Sequence, residues 1–589
     1  MIVDIANTLA GAATVGLLFA LAFLAPEVAG EIKSSLSLRR SICWVSSLWV
    51  VTSIAEILRT LADLFDTSIA SILKFNTIRS YVTQTTLGEL QLLEVLVSLL
   101  VFFSLIRVRR SGGAIAIFLI ATIGVTAPLF QSHSSQAGSH GLAIGSLIIH
   151  VIALSIWSGS VVTLAMMAPG ERELALPRVS SVATWSLVTM VATGATSSLL
   201  RLGFTDSWLT PYGAMITLKL GLLGVIITLA RKIRLTVEPE NLLKFESALL
   251  VVVITIGAIL SRFTPEPSSE LPYDRARELV GITMPAEPTL MRVFFEYEAD
   301  GLILGALIFL TALYIRGVIS LVRRGDKWPV GRTISFAFGI SLLDYATSGG
   351  LGLYSVFSFQ YHMIAHMVLS MIAPIALVLS APMTLALRTL PIGRTSEERG
   401  LRGWVLTLIH SRFAQIWTHP VFALALFDGS LFALYFTPLF SELMSSHFGH
   451  FLMNLHFIGV GFLFFYVIIG IDPNPRRTHH LVRMIILLAA MSIHAFFSIA
   501  LMSSTTLIDG GYYEALQRPW AADLLADQEL GAAIGWAMGE IPIVAALIAT
   551  FIQWMRADRR EAKRADKNAQ ELAEYNEYLR KLAERNPDS

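Results

Sequence analysis

The chain has 589 residues, of which 54% are hydrophobic and only 15% are charged. Soluble domains carry about 25% charged residues, so this composition excludes a soluble globular protein and indicates a polytopic membrane protein. The formal net charge of +1 argues against a nucleic-acid partner. The single cysteine, Cys43, excludes an intramolecular disulfide and any metal or redox motif that needs several thiols.

About 15 apolar runs are long enough to cross a bilayer core of about 30 Å, and we predict an all-α bundle of transmembrane helices. The N-terminal run lacks a basic n-region, so we expect it to be retained as the first span. The predicted spans are residues 6–26, 41–62, 88–106, 112–131, 141–167, 178–200, 212–231, 245–263, 298–320, 333–349, 361–380, 419–438, 450–471, 481–503 and 531–555.

The basic residues orient the predicted bundle. If the N-terminus lies outside, the loops after odd-numbered spans and the C-terminal tail are cytoplasmic, and these segments hold most of the 44 Lys and Arg residues. An excess of basic residues is typical of the cytoplasmic side. We therefore predict a multi-pass protein of the plasma membrane with its N-terminus outside and its C-terminus in the cytoplasm.

A long, proline-rich outer loop at residues 264–292 divides the chain into two halves. We predict one membrane domain over residues 1–292, a second over 293–555, and a charged cytoplasmic tail over 556–589. The tail is rich in Ala, Glu, Lys and Arg, which predicts a solvated helix. We identify no nucleotide-binding loop, so we expect no ATP-driven transport by this chain.

The sequence QYHMIAHMVLSM, at residues 360–371, carries the strongest chemical signal. His362 and His366 are four residues apart and share one face of a helix, and Met363, Met367 and Met371 form an adjoining stripe. Imidazole and thioether ligands suit copper, and thioether favours Cu(I). The structural alternative is that the methionines pack against lipid or core and the histidines hydrogen-bond to neighbours.

Further ionisable residues fall on the predicted outer side or in the outer half of the membrane. Such side chains are costly within a bilayer and usually face a bundle interior or a cavity, where they mark function. We predict a metal site in this layer. Its candidates in the second half are His447, His450, His456 and His494, with Asp344 and Glu540 as acidic neighbours, and in the first half His133, His140 and His150.

The residue types leave the identity of the metal open. Histidine with methionine and no thiolate favours copper, whereas histidine with carboxylate suits zinc or iron. Two histidines from facing helices can also bind a haem, which makes the chain an electron-transfer protein. If the ligand is copper, the methionines contribute to binding and the protein shows no Soret band. If the ligand is haem, a Soret band appears and the methionines do not contribute.

The second half resembles the CtaG-type cytochrome c oxidase assembly factors over roughly residues 300–560. The resemblance implies a role in copper supply to, or maturation of, a haem-copper oxidase. By position it implies ligands at His362, His366, His450, His456 and His494. Thr437-Pro438 departs from a His-Pro that many relatives carry. The matching stretches are YHMIAHMVLSMIAPIALVLSAP (361–382), HPVFALALFDGSLFALYFTPLF (419–440), HFIGVGFLFFYVIIGIDPNP (456–475) and YYEALQRPWAADLLADQELGAAIGWAMGEIP (512–542).

The first half resembles the CopD family of copper-resistance and copper-uptake membrane proteins over roughly residues 1–320. The first span contains no histidine, which departs from a complete copper site in this half. The matching stretches are HVIALSIWSGS (150–160), TGATSSLLRL (193–202) and PYGAMITLKLGLLGVIITLARKIR (211–234).

Together these resemblances imply a protein that handles copper, and we expect it to do so by ligand exchange. The sequence indicates no covalent nucleophile and no acid–base pair, so we do not predict an enzyme. Copper gathered by His133, His140 and His150 is expected to pass to the outer histidine layer. From there it is expected to reach an apo-oxidase or a periplasmic copper chaperone. Beyond the lipid bilayer, these are the expected partners. The alternatives are the haem-binding electron-transfer protein and a scaffold that docks on the oxidase without binding metal.

Overall fold

The computed structural model describes residues 1–25, 27–28, 31–32, 36–131, 140–236, 239–261, 263, 274–393, 400–475, 478–520 and 523–585. These residues form a bundle of α-helices, which confirms the predicted fold class. Within the described residues, the strands are limited to Glu27–Val28 and Glu31–Ile32, an antiparallel pair in which Val28 lies opposite Glu31.

Fifteen long helices follow the predicted spans in chain order, and we number them α1 to α15. They are α1 (Ile2–Phe23), α2 (Leu36–Leu64), α3 (Thr86–Leu105), α4 (Ser111–Thr126), α5 (His140–Met166), α6 (Pro169–Leu202), α7 (Pro211–Leu235), α8 (Glu240–Leu260), α9 (Gly301–Arg323), α10 (Val330–Thr347), α11 (Phe359–Leu379), α12 (Pro420–Tyr435), α13 (His447–Ile469), α14 (His480–Met502) and α15 (Leu524–Arg585).

Thirteen helices in the described part of the chain are long and apolar enough to cross a membrane, so the protein is a multi-pass membrane protein. The other two numbered helices, α10 and α12, have 18 and 16 residues. A helix rises about 1.5 Å per residue, so both fall at or below the usual length for a full crossing. The count of fifteen spans and the orientation in the membrane stay predictions.

Short helices connect the long ones. The α-helices are Ile69–Ile72, Phe75–Gln84, Arg275–Val280, Leu290–Phe295, Gly350–Ser355, Pro382–Thr389, Gly400–Ile409, Arg412–Trp417, Leu439–Met444 and Tyr512–Ala515, and the 3-10 turns are Ala127–Gln131 and Asp206–Leu209.

The helix predicted for the charged tail is the continuation of the last span. Helix α15 runs without interruption for 62 residues. Its exposed second part is rich in strong helix formers and carries ion pairs four residues apart, as between Lys567 and Glu571 and between Glu577 and Lys581. These local interactions sustain the helix beyond the apolar segment.

Each half packs around one central helix. In the first half, α5 contacts α1, α6 and α8, and in the second half α11 contacts α10, α13 and α15. The buried apolar side chains accordingly form one large core in the second half and smaller cores in the first. The helix that carries His362 and His366 is therefore the most enclosed element of its half.

The two halves meet where α5 packs against α9, a contact that we call the joint. Both helices begin with a G-x-x-x-G sequence, GLAIG at 141–145 and GLILG at 301–305. A Cβ atom at Gly145 would lie 2.1 Å from the backbone nitrogen of Leu302, and one at Gly301 would lie 2.7 Å from the carbonyl oxygen of Leu142. Only glycine permits this backbone-to-backbone approach, which is a common way for membrane helices to associate.

The described part of the predicted linker, residues 274–292, packs on the second half. The indole of Trp520 donates a hydrogen bond to the carbonyl of Pro285 at 3.1 Å, and the hydroxyl of Tyr354 donates to the carbonyl of Ala286 at 2.8 Å. Residues 264–273 lie outside the described residues. The domain boundary at residue 292 stays a prediction.

Candidate metal centre

The helix that carries the central histidines begins at Phe359 and is capped by a distant carboxylate. The side chain of Asp527 accepts hydrogen bonds from the backbone amides of Phe359 at 3.0 Å and Gln360 at 3.2 Å, and from the hydroxyl of Ser358 at 2.8 Å. The first amides of a helix have no partner within the helix, so this cap satisfies them and fixes where α11 begins.

Asp527 is itself held by a buried cation. A guanidinium nitrogen of Arg518 lies 2.8 Å from the second carboxylate oxygen of Asp527, and another donates to the carbonyl of Phe357 at 2.9 Å. Both side chains are almost fully buried. A buried ion pair is strongly destabilised when one partner is lost, so this pair anchors the histidine-bearing helix.

Two buried imidazoles and a half-buried one come together next to this cap, and we call His362, His366 and His450 the histidine cluster. The ring centroids of His362 and His366 are 3.9 Å apart, and those of His362 and His450 are 6.0 Å apart. His362 and His366 are at most 1% exposed. The four-residue spacing therefore places two histidines on one face of α11, and α13 contributes the third.

Most ring nitrogens of the histidine cluster lack a protein partner. Among the described residues, no hydrogen bond of 3.5 Å or less reaches either nitrogen of His362, Nε2 of His366 or Nε2 of His450. The backbone of Ser355 and the side chain of Asn454 are polar neighbours of His362 and His366. An unsatisfied buried polar atom costs about 1–3 kcal/mol and is rare in native proteins, so these nitrogens are candidates for binding an additional ligand.

Tyr435 orients one imidazole of the cluster. Its hydroxyl lies 2.9 Å from Nδ1 of His366. The tautomer that carries its proton on Nδ1 satisfies this contact and leaves the lone pair of Nε2 available. Metal-binding histidines usually donate their second ring N–H in this way, which sets the tautomer and the orientation of the ring.

Aromatic rings enclose the cluster. The ring of Phe457 lies 4.2 Å from that of His366, and the ring of Phe440 lies 5.2 Å from that of His362. These rings give the imidazoles of His362 and His366 an apolar surrounding, which influences solvent access and the binding of an ion.

The predicted methionine stripe is buried, with Met363, Met367 and Met371 each at most 1% exposed. The methyl group of Met363 approaches Gly535 on α15, beside the face that carries the histidines. A π-helical turn over Val368–Ile372 interrupts α11 after Met367. The four-residue spacing therefore no longer fixes the direction of Met371 relative to the other two, and such turns are frequent at functional sites.

The described residues contain no group of three or more His, Cys, Asp or Glu side chains that could hold a metal ion. The histidine cluster is therefore a set of neighbouring imidazoles and not a formed coordination sphere. Imidazole and thioether are ligand types that suit Cu(I).

A second polar pair lies deeper in the same half. Nδ1 of His494 is 3.9 Å from a carboxylate oxygen of Asp428, and Nε2 of His494 is 3.3 Å from the carbonyl of Gly535. Both side chains are at most 1% exposed, and the Asp428 oxygens have no hydrogen-bond partner among the described residues. The structure does not bring His494 into the histidine cluster.

The joint between the halves also collects ionisable side chains. The rings of His140 and His447 have centroids 5.2 Å apart, and Nε2 of His447 lies 3.6 Å from a carboxylate oxygen of Asp300. A cavity of about 60 Å³ reaches from Asp300 and His447 to His450. His447 is therefore adjacent to the cluster through this cavity and in contact with the first half through His140.

The remaining predicted residues lie apart from both groups. Asp344 accepts a hydrogen bond from the hydroxyl of Tyr297 at 3.0 Å, and Nδ1 of His150 lies 3.0 Å from the hydroxyl of Thr193. His456 is exposed on α13. His150 is ten residues from His140 on α5, about 15 Å along the axis. His133 lies outside the described residues.

Sequence reasoning missed Tyr435, Asp428 and Asp300. Asp428 had a usable signal, because it is the only charged residue in the apolar run from residue 420 to 435. The two G-x-x-x-G sequences at the start of α5 and α9 were a signal for the joint. Tyr435 had no such signal in the sequence, because a tyrosine in an apolar helix is common.

The cavity that reaches His447 and His450 measures about 60 Å³. Pockets for ligands of drug or cofactor size measure roughly 300–1,000 Å³. The haem alternative stays a prediction.

Two family models match the chain. A cytochrome c oxidase caa3 assembly factor model of the CtaG type matches residues 312–557, and a model of the copper resistance protein D-like N-terminal domain matches residues 2–142. The joined CopD-like and CtaG-type resemblance is thereby confirmed. The stretches at 150–160, 193–202 and 211–234 that suggested the CopD resemblance lie beyond the matched residues.

The chain is also similar to mycobacterial proteins over most of its length. An uncharacterised protein of Mycobacterium leprae (strain TN) is 33% identical over 82% of this chain and 74% of its own length. An uncharacterised protein of Mycobacterium bovis (strain ATCC BAA-935 / AF2122/97) is 31% identical over 92% of this chain and 82% of its own length. No solved structure matches the chain.

Proposed function

We propose a function from one premise: this chain belongs to the family of these mycobacterial proteins and joins a CopD-like domain to a CtaG-type domain. It binds copper in the plasma membrane and supplies it during the assembly of a haem-copper cytochrome c oxidase. Copper is the cargo of the protein, and the oxidase or a periplasmic copper chaperone receives it.

One observation carries the proposal, namely the four partnerless ring nitrogens of His362, His366 and His450. Buried imidazoles with free lone pairs are ligands for a soft or borderline cation, and the neighbouring methionines favour Cu(I) over other first-row ions. The hydroxyl of Tyr435 contacts Nδ1 of His366 and so orients the imidazole to bind copper through Nε2.

The cluster suits transfer better than permanent storage. It presents imidazoles from two helices without an acidic ligand, so the charge of a bound ion is not neutralised by the protein. A site of this kind releases copper when a partner offers a better ligand set. The reaction is ligand exchange, in which one Cu–N bond breaks as another bond to copper forms.

The test is a titration of the detergent-purified protein with Cu(I), supplied anaerobically as its acetonitrile complex, in competition with a chromophoric chelator. We expect the protein to bind copper and to show no Soret band. We expect the double variant His362→Ala/His366→Ala to lose this copper and, in cells, to lower the copper content of the oxidase. His410→Ala, an exposed histidine away from the cluster, is the control.

Two results oppose the proposal. Undiminished copper binding and oxidase copper in the double variant would exclude the histidine cluster as the site. If the purified wild-type protein binds no copper although oxidase assembly depends on the protein, the protein is instead a metal-free scaffold that docks on the oxidase.

A further inference from the structure

A carboxyl group lies in the middle of a span in the first half. Glu94 is on α3, eight residues after Thr86, where the helix begins. A helix rises about 1.5 Å per residue, so Glu94 lies about 12 Å along a helix that is about 30 Å long. The side chain is buried, with Glu94 only 5% exposed. An ionisable group at this depth is costly and usually marks function.

Neutral side chains from two other helices hold this carboxyl group. Nδ2 of Asn7 on α1 donates a hydrogen bond to Oε1 of Glu94 at 3.0 Å, and the indole of Trp49 on α2 donates to the same oxygen at 2.9 Å. The amide oxygen of a glutamine would accept both hydrogen bonds equally well. The property that glutamate adds at this position is the ability to take up and release a proton.

The elements packed around Glu94 do not neutralise a charge on it. The charged side chain that acts on Glu94 is Glu56 of α2, which is also acidic. Helix α4 contains no ionisable residue, and α5 packs near α3 with apolar side chains. The short helix Phe75–Gln84 contributes the hydroxyl of Tyr81, which donates to Gln91 at 2.9 Å. A buried acid in such surroundings avoids the cost of an isolated charge by binding a proton.

A second group of acidic side chains lies nearer the predicted outer end of the same helices. Nε of Arg59 is 2.6 Å from Oδ1 of Asp4, and Nη2 of Arg59 is 2.7 Å from Oε1 of Glu56. Asp63, whose side chain is 64% exposed, binds the same guanidinium. The amine of Met1 lies 2.9 Å from Oδ2 of Asp4. With three carboxylates against two cations, the group remains negative and attracts protons from solvent.

Polar side chains connect the outer acids to Glu94. Asp4 and Asn7 are three residues apart on α1, and Thr52 and Glu56 are four residues apart on α2, so each pair shares one helix face. The hydroxyl of Thr52 lies 3.0 Å from Oδ1 of Asn7, whose Nδ2 binds Glu94. The three helices therefore enclose a polar path from the predicted outer end to the middle of the span.

We propose that Glu94 is a proton-binding site of the first half, protonated at neutral pH and loaded from the predicted outer side through the carboxyl groups of Asp4 and Glu56. This inference goes beyond the proposed function and does not depend on it. In the transfer, one O–H bond breaks at Glu56 as one forms at Glu94, and solvent returns a proton to Glu56. Chains of acidic side chains within membrane proteins serve as proton relays of this kind.

The first experiment records infrared spectra of the full-length, detergent-purified protein at neutral and alkaline pH. The C=O stretch of a protonated carboxyl lies apart from the amide and carboxylate bands. We expect the wild-type protein to show a component of this stretch at neutral pH that Glu94→Gln lacks. The matched control is Glu89→Gln, which changes an exposed glutamate of the same helix and is expected to keep the component.

The spectrum of the variant decides the proposal. Because glutamine accepts the hydrogen bonds of Asn7 and Trp49, we expect Glu94→Gln to fold and to keep the thermal stability of the wild-type protein. Identical carboxyl bands in the wild-type protein and Glu94→Gln at every pH would show that Glu94 binds no proton and would overturn the proposal.

The second experiment tests the path. The protein is transferred to D₂O, and the rate at which the Glu94 band shifts reports the exchange of its proton with solvent. We expect Glu56→Gln to slow this exchange several-fold. Asp63→Asn is the control, because it removes an exposed carboxylate from the same guanidinium. Equal exchange rates in Glu56→Gln, Asp63→Asn and the wild-type protein would overturn loading through Glu56.

Discussion

A carboxylate oxygen of Asp527 accepts a hydrogen bond from the backbone amide of Phe359 at 3.0 Å, across 168 residues of sequence. This single contact ties the start of the last long helix to the start of the helix that carries His362 and His366. It explains why an Asp-Gln pair stands at 527–528, since Gln528 likewise accepts from the amide of Ile508 at 3.0 Å. Both residues organise the backbone around the histidine cluster.

Replacement of Asp527 by Ala is expected to destabilise the second half. The change leaves the Arg518 guanidinium buried without its partner and removes the cap of α11, and breaking a buried pair costs about 3–5 kcal/mol. The measurement is the thermal stability of the purified protein in detergent. Asp523→Ala is the control, because Asp523 is exposed and caps only the amide of Ala526. Equal stability of the two variants would contradict the anchoring role.

Replacement of Tyr435 by Phe is expected to weaken copper binding without unfolding the protein. Loss of the hydroxyl frees Nδ1 of His366 and removes the contact that sets its tautomer, and such losses typically lower metal affinity about 10–100-fold. The measurement is the Cu(I) affinity by chelator competition. Tyr314→Phe is the control, since its hydroxyl donates to the carbonyl of Ser380 in a distant part of the bundle. An unchanged affinity in Tyr435→Phe would show that the Tyr435 hydroxyl does not prepare His366 for copper binding.

Replacement of Gly145 by Leu is expected to separate the two halves at the joint. The new side chain would overlap the backbone of α9 at Leu302, and overpacking costs about 1–3 kcal/mol or more where backbone must move. The measurement is again thermal stability in detergent. The matched control is Gly224→Leu, because a Cβ atom at Gly224 has no neighbour within 4 Å among the described residues. A Gly145→Leu variant as stable as Gly224→Leu would contradict the close packing.

Replacement of Asp428 by Asn is expected to leave the protein as stable or to make it more stable. The carboxylate is 1% exposed and lacks hydrogen-bond donors, and a neutral amide of the same shape avoids the cost of a buried charge. The measurement is thermal stability, with Asp428→Ala as the comparison that also removes volume. If Asp428→Asn is clearly less stable than the wild-type protein, the carboxyl group of Asp428 stabilises the fold through its contact with the ring of His494.

The sequence by itself determined the class of the protein and the place of its chemistry. Low charge and apolar runs of about 20 residues indicate membrane helices, because a helix satisfies every backbone group of such a run within the run itself. The four-residue spacing of His362 and His366 required a common helix face. These properties are local, so composition and periodicity were sufficient to find them.

Only the tertiary structure decided which ionisable residues meet. In the structure, His450 lies beside His362 and His366, and His494 lies beside Asp428. His140 lies beside His447 across the joint. Depth in the membrane can be estimated by counting along a helix, but the rotation and neighbours of each helix depend on packing. The glycine contacts between α5 and α9 and the Asp527 cap of α11 set that packing, and both join segments far apart in sequence.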